Sequence, residues 1–115
     1  MKLIENQHTQ LLTKAMDAYS LRQKMTASNI ANIDTPNYNR VSVSFEKELQ
    51  RADEEAFGSK ELNRVTPKII QTDEKPVLED ELLEMADTQM RVQLVTRSLR
   101  NNFDTLRSSI TGQSR

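Results

Sequence analysis

The sequence predicts a mainly α-helical protein in which a long amino-terminal helix and a long carboxy-terminal helix pack as an antiparallel, coiled-coil-like pair. Apolar residues recur at helical spacing near both ends, and no glycine or proline precedes Pro36. Between the ends, a shorter stretch alternates apolar and polar residues, as strands do. We therefore divide the chain into a helix and turn motif at 1–40, an irregular middle segment with short extended pieces at 41–77, and a coiled-coil helix at 78–115.

An apolar line with helical spacing predicts the amino-terminal helix. The line consists of Leu11, Ala15, Ala18 and Met25. It favours a helix from about residue 9 to 32, which is long for so small a chain. Pro36 disfavours a helical conformation at Thr35, so the helix is expected to end before that residue.

The carboxy-terminal helix carries a more regular seam, whose positions alternate between spacings of three and four residues. Pro76 precedes this helix, and Gly112 closes it. The seam is longer than the first helix can cover, so we expect other chains to bury the remainder. The predicted assembly interface comprises Leu11, Ala15, Ala18, Met25, Leu82, Met85, Gln89, Val92, Thr96, Leu99, Phe103, Leu106 and Ile110.

Two further features of the second helix bear on its pairing. Gln89 and Thr96 are polar positions inside the seam, and buried polar positions restrict register and the choice of partner. Acidic residues occupy the first half of the helix and arginines the second half, an order that matches the helix dipole. The arginines are interrupted by the seam and offset by the acidic half, so a solvated flank is favoured over a nucleic-acid face.

The middle segment combines short elements of both kinds. Val41 and Val43 alternate with serines and lead to Phe45, which predicts a short strand. One or two helical turns are expected between Phe45 and Ala56, before Gly58. The range 65–72 is predicted to be extended and edge-like because it contains Pro67, and 58–77 is otherwise expected to be irregular.

The composition argues against catalysis. The chain has a single histidine, two glycines and no cysteine, which leaves no histidine-based apparatus, phosphate-binding loop or thiolate metal site. The acidic cluster at 79–81 lacks the spaced oxygen ligands and turn glycine of a calcium loop. Sixteen basic residues balance seventeen acidic ones, which disfavours a general nucleic-acid binder. We expect no enzymatic activity, cofactor or metal, and no membrane insertion, since no apolar run could span a bilayer.

A more specific segment lies where the first helix must stop. Its side chains suit a helix end followed by a tight turn, because asparagine tolerates positive φ after a proline. The amides of Asn29 and Asn32, one helical turn apart, can bond exposed carbonyls or a neighbouring helix. The motif residues are Ser28, Asn29, Ile30, Ala31, Asn32, Thr35, Pro36 and Tyr38.

This segment resembles the signature of the bacterial flagellar rod and hook axial proteins, in which Ser-Asn-x-Ala-Asn-x-x-Thr-Pro-Gly-Tyr closes the amino-terminal helix. Asn37 stands where glycine is usual, a mild departure because asparagine can adopt the left-handed conformation. The carboxy-terminal helix also matches the family. Its matching residues are Leu78, Glu81, Met85, Ala86, Gln89, Arg91, Leu99, Phe103, Leu106 and Ile110.

The resemblance implies a structural axial subunit of the flagellar basal body, near the base of the rod that transmits torque. It implies contacts with further copies, other rod proteins, the basal-body rings and the export-gate junction. It also implies export by the flagellar type III apparatus without a cleaved signal. The amino terminus agrees, because it has no continuous apolar stretch or small-residue cleavage site.

Two alternatives from other classes remain open at this point. A helical coiled-coil adaptor or export chaperone would form a closed dimer of fixed size. A small nucleic-acid-binding hairpin would bind through Arg97, Arg100 and Arg107 and would lose affinity as salt rises. The balanced charge of the chain makes the second alternative the poorer one.

Overall fold

The computed structural model describes residues 7–54 and 65–112. Three helices and two short strands lie in those ranges. They are α1 (Gln7–Ala31), β1 (Val41–Ser44), α2 (Glu46–Glu54), β2 (Lys68–Gln71) and α3 (Leu78–Thr111). The two long helices dominate the described part of the chain, and the predicted mainly α-helical fold is confirmed.

The long helices end close to the predicted positions. α1 stops at Ala31, five residues before Pro36, and α3 starts shortly after Pro76. Gly112 follows α3 with φ 71°, a left-handed conformation that glycine adopts without steric cost. Within the described ranges, no helix combines the length and the apolar character that a membrane span requires.

α1 and α3 run antiparallel to each other. Gln23 Nε2 donates to Gln89 Oε1 at 2.8 Å, whereas Asn29, later in α1, contacts Glu81, which lies earlier in α3. Residue numbers therefore fall along α3 as they rise along α1. This arrangement is the hairpin that the sequence predicts.

The middle segment forms a two-stranded antiparallel sheet, in which Val41 pairs with Gln71 and Ser44 with Lys68. Two backbone bonds continue the pairing beyond the strands, from Arg40 N to Glu74 O at 2.8 Å and from Thr72 N to Arg40 O at 3.0 Å. Both strands fall where extended chain was expected, and α2 occupies the predicted helical turns. The part of the predicted irregular stretch before residue 65 lies outside the described residues.

The core is small and joins α1 to the middle segment. Tyr19 and Phe45 meet edge to face, with ring centroids 5.2 Å apart and planes at 78°. The buried apolar residues are Ala15, Ala18, Tyr19, Val43, Phe45, Leu49 and Val65. None of these seven lies on α3, so α3 packs against α1 largely through half-buried and polar side chains.

Arg22 connects the hairpin to the middle segment while almost fully buried. Its Nη2 donates to the Val43 carbonyl at 2.7 Å, and its guanidinium pairs with the Glu46 carboxylate. The guanidinium carbon also lies 5.1 Å from the Phe45 ring centroid. A buried charge is tolerated only with such partners, so Arg22 fixes how β1 and α2 sit on α1.

Candidate functional site

The motif asparagine Asn29 lies at the centre of a buried hydrogen-bond network. Its side chain is fully buried, and all of its polar groups have partners. Its Nδ2 donates to the Val41 carbonyl at 2.8 Å and to Glu81 Oε1 at 3.0 Å. Its Oδ1 accepts from Tyr38 Oη at 3.0 Å and from the Val41 backbone N–H at 2.9 Å. One carboxamide therefore ties together α1, the turn, β1 and α3.

Glu81 supplies the α3 side of this network. The residue is 0% exposed, and its carboxylate accepts from Asn29 and from Arg40 Nε at 2.9 Å. Isolation of a carboxylate from water is costly unless the charge is paired and hydrogen-bonded, and both conditions are met here. The same hydrogen bond raises the pKa of Arg40 above its usual value, so its guanidinium stays charged.

Asn32 organises the turn that follows α1. Its Nδ2 donates to the Ser28 carbonyl at 2.9 Å, and its Oδ1 accepts from Thr35 Oγ1 at 3.0 Å. The Ser28 carbonyl, in the last turn of α1, therefore accepts this side-chain bond in addition to one from the Asn32 backbone N–H at 3.0 Å. Asn37 then has φ 62°, the left-handed conformation expected for this position.

The remaining motif residues divide between the inside and the outside of the turn. Ser28 and Tyr38 are half-buried, and their hydroxyl groups lie 3.3 Å apart beside Asn29. Ile30 is also half-buried, whereas three other motif residues are exposed to solvent. The exposed motif residues are Ala31, Thr35 and Pro36.

The predicted interface residues on α1 are partly used within the chain itself. Ala15 and Ala18 belong to the buried core, and Leu11 and Met25 pack against it while half-buried. These four positions hold the hairpin and the middle segment together. Their participation in contacts between chains stays a prediction.

The predicted seam on α3 is split between two faces. Its half-buried members are Met85, Val92, Leu99 and Leu106, and its exposed members are Leu82, Gln89, Thr96, Phe103 and Ile110. Phe103 is 53% exposed and Ile110 58%. The half-buried residues alternate with a neighbouring line that the sequence analysis did not identify, and this line comprises Glu81, Thr88, Val95 and Asn102. This inner line and the half-buried seam residues together form the face toward α1. That face keeps every second position of the predicted seam and is shifted by one residue at the other positions.

Sequence reasoning missed this inner line because most of its members are polar. Glu81 and Thr88 are both 0% exposed, yet an acidic residue in a charged first turn and a threonine in a helix give no sign of burial. Arg22 was missed for the same reason. A polar residue at helical spacing within an apolar line is the signal that identifies Arg22, since it lies four residues after Ala18.

A shallow apolar groove lies near the end of α3. It is lined by Phe103, Leu106, Arg107 and Ile110. The opposite face of α3 exposes Leu83, Met90 and Leu94, whose exposed fractions are 70%, 59% and 61%. Within the described residues, α3 thus presents apolar side chains along its length that its own chain leaves accessible to partners.

The fold and the site define a helical hairpin whose turn is fixed by a buried asparagine network and whose last helix exposes apolar residues. The family described as "Flagella basal body rod protein" matches residues 10–39, which include the whole motif. The family resemblance seen in the sequence is confirmed over these residues.

Three relatives agree with this match, and each is named "Flagellar basal body rod protein FlgB". The chain is 55% identical to the relative from Borrelia hermsii over 42 residues, or 36% of the chain. It is 57% identical to the one from Borreliella burgdorferi over 37 residues, or 32% of the chain. These matches span 31% and 27% of the two relatives. The Bacillus subtilis relative is 27% identical, with 90% of this chain and 92% of that protein covered.

Proposed function

We propose that this chain is a structural axial subunit of the flagellar basal-body rod, placed near its proximal end. The observation that carries the proposal is the apolar surface of α3, which α1 covers on one side only. The family description and the names of the relatives, which refer to a rod protein, support a structural role and not a catalytic one. Both agree with the sequence-based expectation that the chain is not an enzyme.

The geometry supports torque transmission by packed helices. Asn29 and Glu81 fix the end of α1 against the start of α3, so the hairpin resists sliding of one helix along the other. Neighbouring chains then bury the exposed apolar residues of α3. These include Leu82, Phe103 and Ile110, which α1 leaves exposed. Contacts that do not close on themselves generate a helical tube. Torque passes through the buried faces between adjacent subunits.

The proposed partners follow from this position in the rod. Further copies of the chain and other rod proteins contact α1 and α3 through the predicted interface residues. The middle segment faces basal-body ring proteins, and the proximal end meets the export-gate junction. The chain reaches this location through the type III export apparatus without cleavage of a signal. The names of the relatives, which refer to the basal body rod, support this location.

Deletion of the gene tests the proposal directly. Loss of this chain is expected to abolish swimming and to leave purified basal bodies without a rod. Reintroduction of the unchanged chain should restore both properties. Normal rods in the deletion strain would contradict an axial role.

One alternative, a closed coiled-coil adaptor or export chaperone, is favoured by a specific observation. Leu82, Phe103 and Ile110 lie on one exposed line of α3, which two chains could bury in a dimer. Such a dimer keeps the same mass at all concentrations above its dissociation range. An axial subunit instead stays monomeric or grows with concentration, so sedimentation velocity over a concentration series separates the two functions.

A further inference from the structure

Charges of opposite sign predominate at the two ends of α3, where Asp104 is the one acidic residue among the arginines of the second half. Glu79 lies in the first turn, is exposed, and has no ion-pair partner among the described residues. No basic residue occurs between Leu78 and Met90. In the second half, three exposed arginines also lack ion-pair partners in the part of the chain that the structure describes. They are Arg97, Arg100 and Arg107.

The helix dipole explains the acidic residues at the start of α3 but not the arginines in its second half. Acidic residues in the first turn are stabilised by the partial positive charge of the helix amino terminus. The effect of the dipole falls off within one turn, and no basic residue lies in the last turn of α3. Arg97 and Arg100 lie more than two turns before Thr111, so the dipole does not account for them. Their positive charge is available to a partner.

Exposed apolar residues accompany both charged ends on one face of α3. At the amino-terminal end, Leu78 is 43% exposed and Leu82 50%. At the other end, Phe103 and Ile110 are more than half exposed and line the groove. We call Leu78, Glu79 and Leu82 the acidic end patch. We call Arg100, Phe103, Arg107 and Ile110 the basic end patch.

We propose that the basic end patch of one copy docks on the acidic end patch of a second copy. Apolar residues then cover Phe103 and Ile110, and Arg100 and Arg107 meet a segment that carries acidic and no basic residues. Contact between two basic end patches instead places arginines beside arginines in a partly desolvated interface, which is unfavourable. Charge complementarity therefore selects two different ends over two identical ones.

A contact between different ends is heterologous, and repeated copies extend it into an open chain unless the rotation closes. This inference rests on the proposed axial function, for which it identifies the contact between subunits. The exposed line runs the length of α3, which is roughly 50 Å for 34 residues at 1.5 Å per residue. Overlap of the two ends leaves the other end of each copy free for the next subunit.

Two variants, each with one end patch blocked, test the proposed docking between copies. The first carries Glu79→Lys and Leu82→Ser, and the second carries Arg100→Glu and Phe103→Ser. All four positions are exposed, so circular dichroism should show unchanged helix content. A matched control carries Ala86→Ser and Gln93→Glu, two exposed changes between the patches that lie outside the predicted interface residues.

Each blocked variant is expected to sediment as a monomer of about 13.2 kDa at concentrations where the unchanged chain associates. The equimolar mixture is expected to form a one-to-one complex with twice that mass, because each variant retains the end that the other lacks. The control should associate like the unchanged chain. Added salt should weaken association, since the charges at the contact are screened.

Three other results would overturn either this inference or the proposed axial function. Dimerisation of either blocked variant alone would show contact between identical ends and overturn the inference. Absence of association in both the unchanged chain and the mixture would overturn it as well. A mixture that pairs, together with an unchanged chain that stops at two copies, would support the contact between ends and contradict the axial function.

Discussion

Asn29 shows how a single side chain connects segments that are distant in sequence. Its carboxamide bonds the backbone of Val41 and the carboxylate of Glu81, which is 52 positions away. The motif asparagine therefore has a structural role inside the chain, in addition to any role in assembly. Removal of its side chain leaves a buried carboxylate and a buried carbonyl short of donors.

The change Asn29→Ala is expected to lower the free energy of unfolding by about 2–3 kcal/mol, because buried groups lose hydrogen bonds. Urea denaturation followed by circular dichroism measures the effect. Asn101→Ala, at an exposed position of α3, is the control and should change stability by less than about 0.5 kcal/mol. Equal effects of the two substitutions would contradict the proposed network.

Glu81→Ala is expected to cost about 3 kcal/mol, since it leaves Arg40 without its carboxylate partner in a site that is largely shielded from water. Glu79→Ala removes an exposed carboxylate from the same helical turn and should have a much smaller effect. The double variant Asn29→Ala, Glu81→Ala should cost less than the sum of the single changes, because the two side chains contact each other. Strict additivity in denaturation experiments would show that the contact carries no energy.

At the scale of elements, the contact between α1 and α3 is more polar than an ordinary coiled-coil seam. Thr88 is 0% exposed, and its hydroxyl has no hydrogen-bond partner among the residues that the structure describes. Within the same ranges, Gln10 Oε1 and Asn102 Nδ2 are also buried without partners. Such groups cost stability, so the hairpin is held less tightly than its length suggests.

Thr88→Val is expected to stabilise the hairpin by about 1 kcal/mol, because a methyl group replaces a buried hydroxyl of similar shape that has no partner. Valine and threonine have similar helix propensities, so the helix itself should be little affected. Thr96→Val, at an exposed position, is the matched control and should leave the midpoint of thermal unfolding nearly unchanged. A lower midpoint for Thr88→Val would indicate that the hydroxyl has a partner.

At the scale of the whole molecule, the internal and external contacts use different faces of α3. Glu81 and Thr88 mark the face toward α1, and Leu83 and Leu94 mark the face away from it. Stability of the single chain and assembly of many chains should therefore respond to different substitutions. This separation makes the proposed axial role testable without unfolding the subunit.

The pair Leu83→Gln and Leu94→Gln is expected to leave the free energy of unfolding within about 0.5 kcal/mol, since both side chains are exposed. The same variant should assemble poorly, because the apolar face that neighbours bury is lost. Swimming on soft agar and the rod content of purified basal bodies measure assembly. Gln93→Ala is the control for an exposed change nearby, and normal rods with the double variant would argue against burial of this face.

The sequence by itself determined the two long helices, their ends and the turn between α1 and β1. These features depend on neighbours along the chain, namely helical spacing, Pro36, Asn37 and Gly112, so local patterns were sufficient. The same motif also indicated the family resemblance, and the family model matches the residues that carry the motif.

The tertiary structure decided which face of α3 meets α1. The predicted seam and the observed inner face of α3 share Met85 and Val92, and helical spacing alone is compatible with either. The choice depends on Glu81, which is buried where Asn29 and Arg40 provide donors. Those donors are distant in sequence and are brought together only by the fold, so no local pattern could select the inner line or leave Phe103 and Ile110 exposed.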